Sequence, residues 1–181
     1  MIKIGDVLIR FLPQFQVWHW GIVTDIYTYD LDGIYVMEFT DSDKIARVTL
    51  RAFCWYRKYF WVHTFRYEHQ FYGNSVFRPM TERIQMANQL FNENILSYNM
   101  IKYNCEYFVR RCVFNDPTLW PSKQVQIIGQ SSKLVFFKLM AAIVANTMTK
   151  MGELLELEKN NRPYDIRYEV NLDSKTFKIS T

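Results

Sequence analysis

The sequence predicts a protein of the α+β class, in which an antiparallel β-sheet packs against helices. The first observation is a series of short N-terminal runs, rich in β-branched and aromatic residues and separated by turn signals. The second is the pattern that begins near Pro79, where apolar residues recur at helical spacing. A chain of 181 residues that is 49% hydrophobic is long and apolar enough to bury a core.

Five segments in the N-terminal part of the chain predict β-strands. In order they are GDVLIRFL, VWHWGIVTDIY, GIYVMEFT, ARVTL and YFWVHTFRY. The turn signal YDLDG lies between the second and third segments. These two strands are therefore predicted to form a hairpin, which brings the residues of one strand beside those of the other.

Two helices are predicted after the strands. In RPMTERIQMANQLFNEN, Pro79 suits a helix start, and the apolar residues Ile84, Ala87, Leu90 and Phe91 share one face. The second helix begins in NCEYFVRRC, where the side chain of an asparagine at the N-cap can accept a hydrogen bond from a free first-turn N–H.

The second helix raises a question about its cysteine. Asn104 is the predicted N-cap, so Cys105 falls in the first turn, and Cys105, Phe108, Val109 and Cys112 share one inward face. A helix N-terminus lowers the pKa of a cysteine thiol, as does a neighbouring imidazole. Cys105 is therefore a candidate nucleophile. The alternative is that a cysteine on an apolar helix face only fills space in the core.

A candidate base and its orienting partner lie on the predicted hairpin. Of the three histidines, His19 shares a strand face with Gly21, whose missing side chain allows a close approach. Glu38 on the next strand could accept a hydrogen bond from one ring nitrogen of His19, leaving the other for Cys105. Alternatively, His19 is a satisfied core residue and Glu38 faces solvent. His63 and His69 are interpreted as structural or surface residues.

Charge and cysteine content limit the possible partners and the compartment. The formal charge of +4 is too small to predict nucleic-acid binding. A charge of this size would suit an anionic lipid surface as well as it would suit a nucleic acid. Cys54, Cys105 and Cys112 form an odd set without the spacing of a zinc site. The N-terminus lacks the pattern of a secretory signal. These features predict a reduced, cytoplasmic compartment, with peripheral membrane contact left open, and no metal.

Several motifs, taken in order, resemble the lecithin retinol acyltransferase-like family. They are GDVLIRF, HWGIVTD, VMEF, NCEYFV and SKQV, and they span Ile4 to Val125. The Asn-Cys-Glu piece is the most specific. The resemblance implies a circularly permuted papain-like (NlpC-type) thiol enzyme, with Cys105 as nucleophile and His19 as base. It also implies lipid acyl substrates, such as phospholipids, and no cofactor.

The chain departs from the family pattern at two positions. The third catalytic position is usually histidine in the family and is Glu38 here; the residue after Asn-Cys-Glu is usually histidine and is Tyr107 here. A carboxylate can still orient an imidazole, so the resemblance implies a Cys105–His19–Glu38 site. We also expect Trp20, Asn104 and Tyr107, which neighbour the nucleophile and base in the sequence, to contact substrate.

The remainder of the chain is expected to form a C-terminal extension. The predicted division is an enzyme domain over 1–125 and an extension over 126–181. The extension would contain an apolar helix over 133–150 and then a polar hairpin or tail. The apolar part is short for a membrane span and is interrupted by Lys138, which favours packing over membrane anchoring.

Two rival functions stay open beside thiol-dependent acyl transfer or hydrolysis. A cysteine peptidase or amidase would use the same residues on a peptide bond, because the chemistry at the thiol is the same. A non-catalytic interaction module could keep the fold without the reaction. A deep apolar slot beside Cys105 would favour acyl chains, and an open polar groove would favour peptides. The sequence does not predict an oligomeric state.

Overall fold

A computed structural model of the chain describes residues 1–12, 17–40, 44–93, 103–121 and 165–180. Seven strands form one sheet in the order β4-β3-β2-β1-β5-β6-β7. Every neighbouring pair in this sheet is antiparallel. The strands are β1 (Val7–Leu12), β2 (Val17–Ile26), β3 (Ile34–Thr40), β4 (Lys44–Thr49), β5 (Tyr59–His63), β6 (Ile166–Asn171) and β7 (Thr176–Ile179).

Four α-helices pack against this sheet, which confirms the predicted α+β class. They are α1 (Leu50–Cys54), α2 (Arg66–Tyr72), α3 (Met80–Glu93) and α4 (Cys105–Val113). Two short 3₁₀ turns cover Asn74–Val76 and Pro117–Leu119.

The predicted hairpin of the second and third strands is confirmed. β2 pairs with β3 from Gly21 opposite Glu38 to Ile26 opposite Ile34. Between these strands, the Asp30 carboxylate accepts hydrogen bonds from two backbone N–H groups of the turn. This is the local closure that aspartate favours in turns. A register shift between Val23 and Asp25 then places Glu38 opposite Gly21 rather than Ile22.

The core has two apolar layers, one on each side of the sheet. Alternation along the strands divides their side chains between the layers. The first layer includes Trp20, Ile22, Met37 and Phe39 together with the buried faces of α3 and α4. The second includes Leu8, Val23, Val36, Phe53 and Phe60. Since both faces are covered, the central strands are buried almost throughout.

The two predicted helices are present, with one correction to the buried face of α3. Ala87 and Leu90 are fully buried and Ile84 packs against the first core layer. Phe91, however, is 40% exposed, so the face that it was predicted to share with Ile84, Ala87 and Leu90 is not buried throughout. It lies at the edge of the helical stripe.

The segment predicted as the fifth strand is shorter than expected. β5 ends at His63, and α2 begins three residues later. Phe65 between them has φ 50°, a left-handed conformation that turns the chain. Its side chain is buried against the rings of His63, Phe77 and Phe114. Tertiary packing of aromatic rings therefore overrides the strand propensity of the second half of YFWVHTFRY.

The C-terminal residues form the predicted hairpin, and this hairpin belongs to the main sheet. β6 pairs with β5 from Tyr59 opposite Glu169 to Val62 opposite Ile166. Tyr168 stacks on Phe60 with ring centroids 5.2 Å apart. The apolar helix predicted over 133–150 lies outside the described residues. In the part of the chain that is described, no helix is long and apolar enough to cross a membrane.

Candidate active site

The N-terminus of α4 presents the candidate nucleophile. Asn104 has extended backbone geometry, and its Oδ1 accepts a hydrogen bond from the Tyr107 N–H at 3.0 Å. This is the predicted N-cap interaction. Cys105 is consequently the first residue of the helix. The inward-facing residues Phe108 and Val109 are fully buried, which fixes α4 on the sheet and holds the cysteine in place.

The candidate base and carboxylate meet on the second core face of the sheet. His19 Nε2 lies 2.7 Å from Glu38 Oε2, and both side chains are about nine-tenths buried. Glu38 is opposite Gly21, two residues along β2 from His19. Strand alternation puts His19, Gly21 and Glu38 on one face of the sheet. Because Gly21 has no side chain, the Glu38 carboxylate passes over it to reach the His19 imidazole.

Cys105 approaches this pair at the beginning of β2. The pairing of β2 with β3 starts at Gly21, so Trp18 and His19 precede the paired region. The Cys105 Sγ lies 3.9 Å from the carbonyl oxygen of Trp18, a long and weak contact. The sulfur of Cys105 also acts on the His19 imidazole electrostatically and raises the pKa of His19. Because Glu38 occupies Nε2, Nδ1 is the ring nitrogen that remains for the sulfur.

The electrostatic balance at His19 favours its protonated form. Burial is the largest influence and lowers the pKa of His19. The sulfur of Cys105 and the carboxylate of Glu38 together outweigh burial and raise the pKa of His19 from 6.5 to about 9. The arrangement therefore supports a protonated His19 at neutral pH. This is the condition under which a thiolate–imidazolium pair is stable.

Gly21 is required by the packing around the imidazole. A Cβ at this position would lie 2.5 Å from Val36 Cγ1 and 2.8 Å from Phe53 Cε2. Phe53 in turn contacts the His19 ring, with centroids 5.8 Å apart. The close approach expected at Gly21 is therefore made by two side chains. Of these two, Phe53 supports one side of the imidazole.

The other two cysteines are in a different environment. Cys54 and Cys112 are fully buried, whereas Cys105 is 7% exposed. Burial raises the pKa of the Cys54 thiol to about 12 and raises that of Cys112 further. Both are therefore neutral packing residues, and Cys105 is distinguished from them by its exposure and its histidine partner.

The three residues expected to contact substrate have different surroundings. Trp20 is buried in the first core layer, with its ring edge-on to His63 at 4.8 Å. Asn104 is occupied as the helix cap. Tyr107 is half-buried, and its ring packs edge-on to Tyr103 at 5.1 Å. Of the three, Tyr107 has the side chain that is most accessible beside Cys105.

The structure gives the other histidines local structural contacts. His63 Nδ1 lies 2.9 Å from Asp165 Oδ2, so this pair joins the end of β5 to the residue before β6. The exposed His69 bonds through Nδ1 to Asn74 at 2.6 Å and stacks on Phe77. Neither contact involves Cys105, in agreement with the interpretation of both as structural or surface residues.

A buried ionic network that sequence reasoning missed anchors α2 to α4. Arg110 donates to Glu106 at 2.7 Å and to Glu68 at 2.9 Å, and all three side chains are almost completely buried. It also donates to the Leu119 carbonyl. These partners occupy the guanidinium of Arg110, so it is not available to bind a phosphate head group. The i,i+4 spacing of Glu106 and Arg110 was visible in the sequence; the distant Glu68 was not.

Sequence reasoning also missed Arg10, which neighbours His19 directly. Arg10 is opposite His19 in the pairing of β1 with β2, so both side chains project from the same face. It is only 6% exposed. The available signal was a charged residue in the middle of the apolar strand VLIRFL.

A cavity lies elsewhere on the molecule. It has a volume of about 570 Å³ and is lined by Tyr56, Arg57, Lys58 and residues of the C-terminal hairpin. Its lining does not include Cys105, His19 or Glu38. It is therefore not the groove that would distinguish an acyl chain from a peptide at the candidate nucleophile.

Comparison with known proteins found no matching protein family, no matching curated protein and no matching solved structure. The resemblance carried by the Gly-Asp, His-Trp and Asn-Cys-Glu motifs accordingly stays a prediction. The functional argument rests on the geometry of the site.

Proposed function

We propose that the chain is a cysteine-dependent acyltransferase or acyl hydrolase that works through an acyl-thioester intermediate. The observation that carries this proposal is the buried 2.7 Å contact of His19 with Glu38, combined with the position of Cys105 at a helix N-terminus, where its sulfur raises the pKa of His19. A nucleophile, a base and a group that orients the base are the three parts of this chemistry.

In the first half-reaction, the Cys105 thiolate attacks the carbonyl carbon of an ester or amide. A sulfur–carbon bond forms, and the carbonyl π electrons move to oxygen. The first-turn N–H of Cys105 lacks an intrahelical acceptor and is suited to stabilise this oxyanion. When the intermediate collapses, the carbon–oxygen or carbon–nitrogen bond breaks, and the His19 imidazolium gives its proton to the leaving group.

In the second half-reaction, neutral His19 removes a proton from water, an alcohol or an amine. The acceptor attacks the thioester carbonyl, and Cys105 leaves as the thiolate, which restores the starting ion pair. Glu38 accepts a hydrogen bond from Nε2–H throughout. This contact fixes the imidazole with Nδ1 toward sulfur and stabilises the imidazolium in each half-reaction.

The fold and the order of the residues support a circularly permuted papain-like arrangement. The histidine strand β2 comes before the cysteine helix α4 in the chain, and an antiparallel sheet lies between helices. This order is the one that the family resemblance implies. On the basis of this resemblance we further propose lipid acyl esters as the substrates, a cytoplasmic location and peripheral contact with a membrane.

The proposal is tested by trapping the intermediate. The protein is incubated with a panel of phospholipids and acyl-peptides, quenched in acid, and examined by intact mass and by peptide mapping. An acyl adduct on Cys105, absent in Cys105→Ala and present in Cys54→Ala, is the expected result. Adducts from acyl-peptides alone would identify a peptidase or amidase. Turnover without any Cys105 adduct, or turnover that survives in Cys105→Ala, would contradict the mechanism.

A further inference from the structure

Arg10 lies beside the Cys105–His19–Glu38 site without the contacts that a buried guanidinium normally has. Its Nε and Nη1 atoms are buried and have no hydrogen-bond partner among the described residues. Buried arginines are almost always paired, because removing an ionic group from water carries a large penalty. An arginine with unpaired buried donors is therefore a candidate for binding a group from a ligand.

The ring contacts of Arg10 hold it at the site but leave its donors free. Its guanidinium carbon lies 5.3 Å from the Phe53 ring centroid and 5.6 Å from the Trp55 ring centroid. Phe53 is also the residue that contacts the His19 ring, so Arg10 and His19 share one supporting side chain. Cation–π contacts stabilise the charge of a guanidinium without using its N–H groups.

The guanidinium of Arg10 adjoins solvent-exposed residues at the end of α1. Trp55 is 52% exposed and has φ 40°, and the neighbouring Tyr56 is 84% exposed with φ 63°. Two successive bulky residues in the left-handed region are strained, and such strain is retained preferentially at functional sites. The strained segment places an exposed indole against the guanidinium, where an entering group would meet both.

We infer that Arg10 is the anion-binding residue of this site and holds a carboxylate or phosphate group of the substrate beside the reacting carbonyl. This inference rests on the proposed function and narrows its substrate class to acyl donors or acceptors that carry an oxyanion near the bond that reacts. Arginine suits this role because its planar N–H groups match the oxygens of a carboxylate or a phosphate.

Glu38 and Cys105 also experience the charge of Arg10. A purely electrostatic role, in which Arg10 only balances these two groups, is the competing explanation. The two roles differ in their effect on charged and neutral reagents. Balancing the internal charges would alter the reaction of Cys105 with both kinds of reagent. An anion site accelerates the charged reagent selectively.

The test compares two alkylating reagents of similar size at neutral pH. Iodoacetate carries a carboxylate and iodoacetamide does not; in both reactions the thiolate displaces iodide and forms one sulfur–carbon bond. The rate at Cys105 is measured by peptide mass spectrometry, and the iodoacetate-to-iodoacetamide ratio is normalised to that of a free cysteine peptide. We expect this ratio to fall about tenfold in Arg10→Met, the loss of one charge-assisted contact.

Arg47→Met is the matched control, because Arg47 pairs with Asp25 at 2.7 Å on another part of the sheet. It removes the same net charge and should leave the ratio unchanged. Arg10→Lys keeps the charge and loses the planar donors, so it should retain part of the ratio. If Arg10→Met does not fold, Arg10→Lys is used in its place. An Arg10→Met ratio equal to that of the wild type overturns the inference.

Competition on the wild-type protein tests the same inference without a substitution. At matched ionic strength, inorganic phosphate or acetate should slow the iodoacetate reaction more than the iodoacetamide reaction. Stronger competition by phosphate indicates a phosphate-bearing substrate, and stronger competition by acetate a carboxylate. If neither anion competes, Arg10 is not an anion site. A different result would contradict the proposed function itself: iodoacetamide would react with Cys105 no faster than with Cys54.

Discussion

His19 and Glu38 come from neighbouring strands and are joined by a 2.7 Å contact between Nε2 and Oε2 in the buried part of the site. Removing one partner of such a pair leaves the other uncompensated, so the contact has consequences that can be measured. It occupies one ring nitrogen of His19 and leaves the other for the sulfur of Cys105 in the proposed site.

The first prediction concerns the charge of Glu38. Glu38→Gln keeps the size of the side chain and an acceptor oxygen but removes the negative charge that stabilises the imidazolium. Turnover should fall by more than about tenfold, and alkylation of Cys105 should require a higher pH. Rates and alkylation profiles of the variant and the wild type provide the measurement. Glu82→Gln, at an exposed position in the first turn of α3, is the control.

A second substitution at the same position distinguishes orientation from charge. Glu38→His introduces the residue that the resembling family usually has there, and it should retain part of the activity that Glu38→Gln loses. If Glu38→Gln instead matches the wild type in rate and in pH profile, Glu38 does not orient His19, and the proposed triad is wrong at this position.

The second prediction concerns alkaline pH. The pKa of His19 in the folded protein is raised from 6.5 to about 9. The imidazolium is therefore present at neutral pH and is lost as the pH rises through about 9. In the proposed mechanism the imidazolium protonates the leaving group, so the acylation rate should fall on an alkaline limb near that pH. Glu38→Gln should move this limb to lower pH; a limb that stays in place would contradict the assignment.

The raised pKa of His19 also makes the stability of the fold depend on pH. A histidine whose pKa is higher in the folded than in the unfolded state stabilises the fold fully below about 6.5. That contribution disappears as the pH rises through about 9. Denaturant unfolding across this interval should therefore show a loss of stability in the wild type that is smaller in His19→Ala. An equal loss in both would assign the pH dependence to other groups.

The third prediction concerns Gly21. In Gly21→Ala the new Cβ would meet Val36 and Phe53 at distances well below van der Waals contact. Overpacking of this kind costs about 1–3 kcal/mol, so the free energy of unfolding should fall by that amount in denaturant titrations. Gly73→Ala is a comparison, since a Cβ there meets no atom within 4 Å and is affected only by its positive φ. An unchanged stability of Gly21→Ala would mean that the sheet relaxes around the new methyl group.

The fourth prediction concerns the helix cap. Asn104→Ala removes the acceptor for the Tyr107 N–H and should lower the free energy of unfolding by about 1 kcal/mol. Asn104→Asp retains an acceptor at the same position and should stay near the wild-type value in thermal or denaturant unfolding. If Asn104→Ala also lacks an effect, the side-chain cap does not hold the start of α4.

Much of the candidate site could be predicted from the sequence because its parts have local signals. An asparagine before a helical pattern identified the cap, strand alternation put His19 beside Gly21, and the turn signal between two strands brought Glu38 toward both. Each of these signals lies within a few residues or within one hairpin. The register that joins them depends on the turn and on the one-residue shift between Val23 and Asp25, which the sequence did not indicate.

The features that were missed depend on long-range packing. α1 and α2 are short, and their aromatic residues have strand propensity, so tertiary contacts determine their conformation. The bond of Arg110 to Glu68 joins residues 42 positions apart, which no local spacing indicates. Arg10 was visible as a charge in an apolar strand, but only the pairing of β1 with β2 brings it beside His19.

The most direct test of the central claim is competitive alkylation of the three cysteines in the native protein at neutral pH. Limited iodoacetamide, followed by peptide mass spectrometry, measures the relative rates at Cys54, Cys105 and Cys112. We predict that Cys105 reacts faster than the other two thiols by about a hundredfold or more, because it begins a helix beside His19, whereas burial raises the pKa of Cys54 and Cys112. His19→Ala should remove most of this advantage. Equal labelling of all three cysteines in the folded protein, or a Cys105 rate unaffected by His19→Ala, would contradict the account.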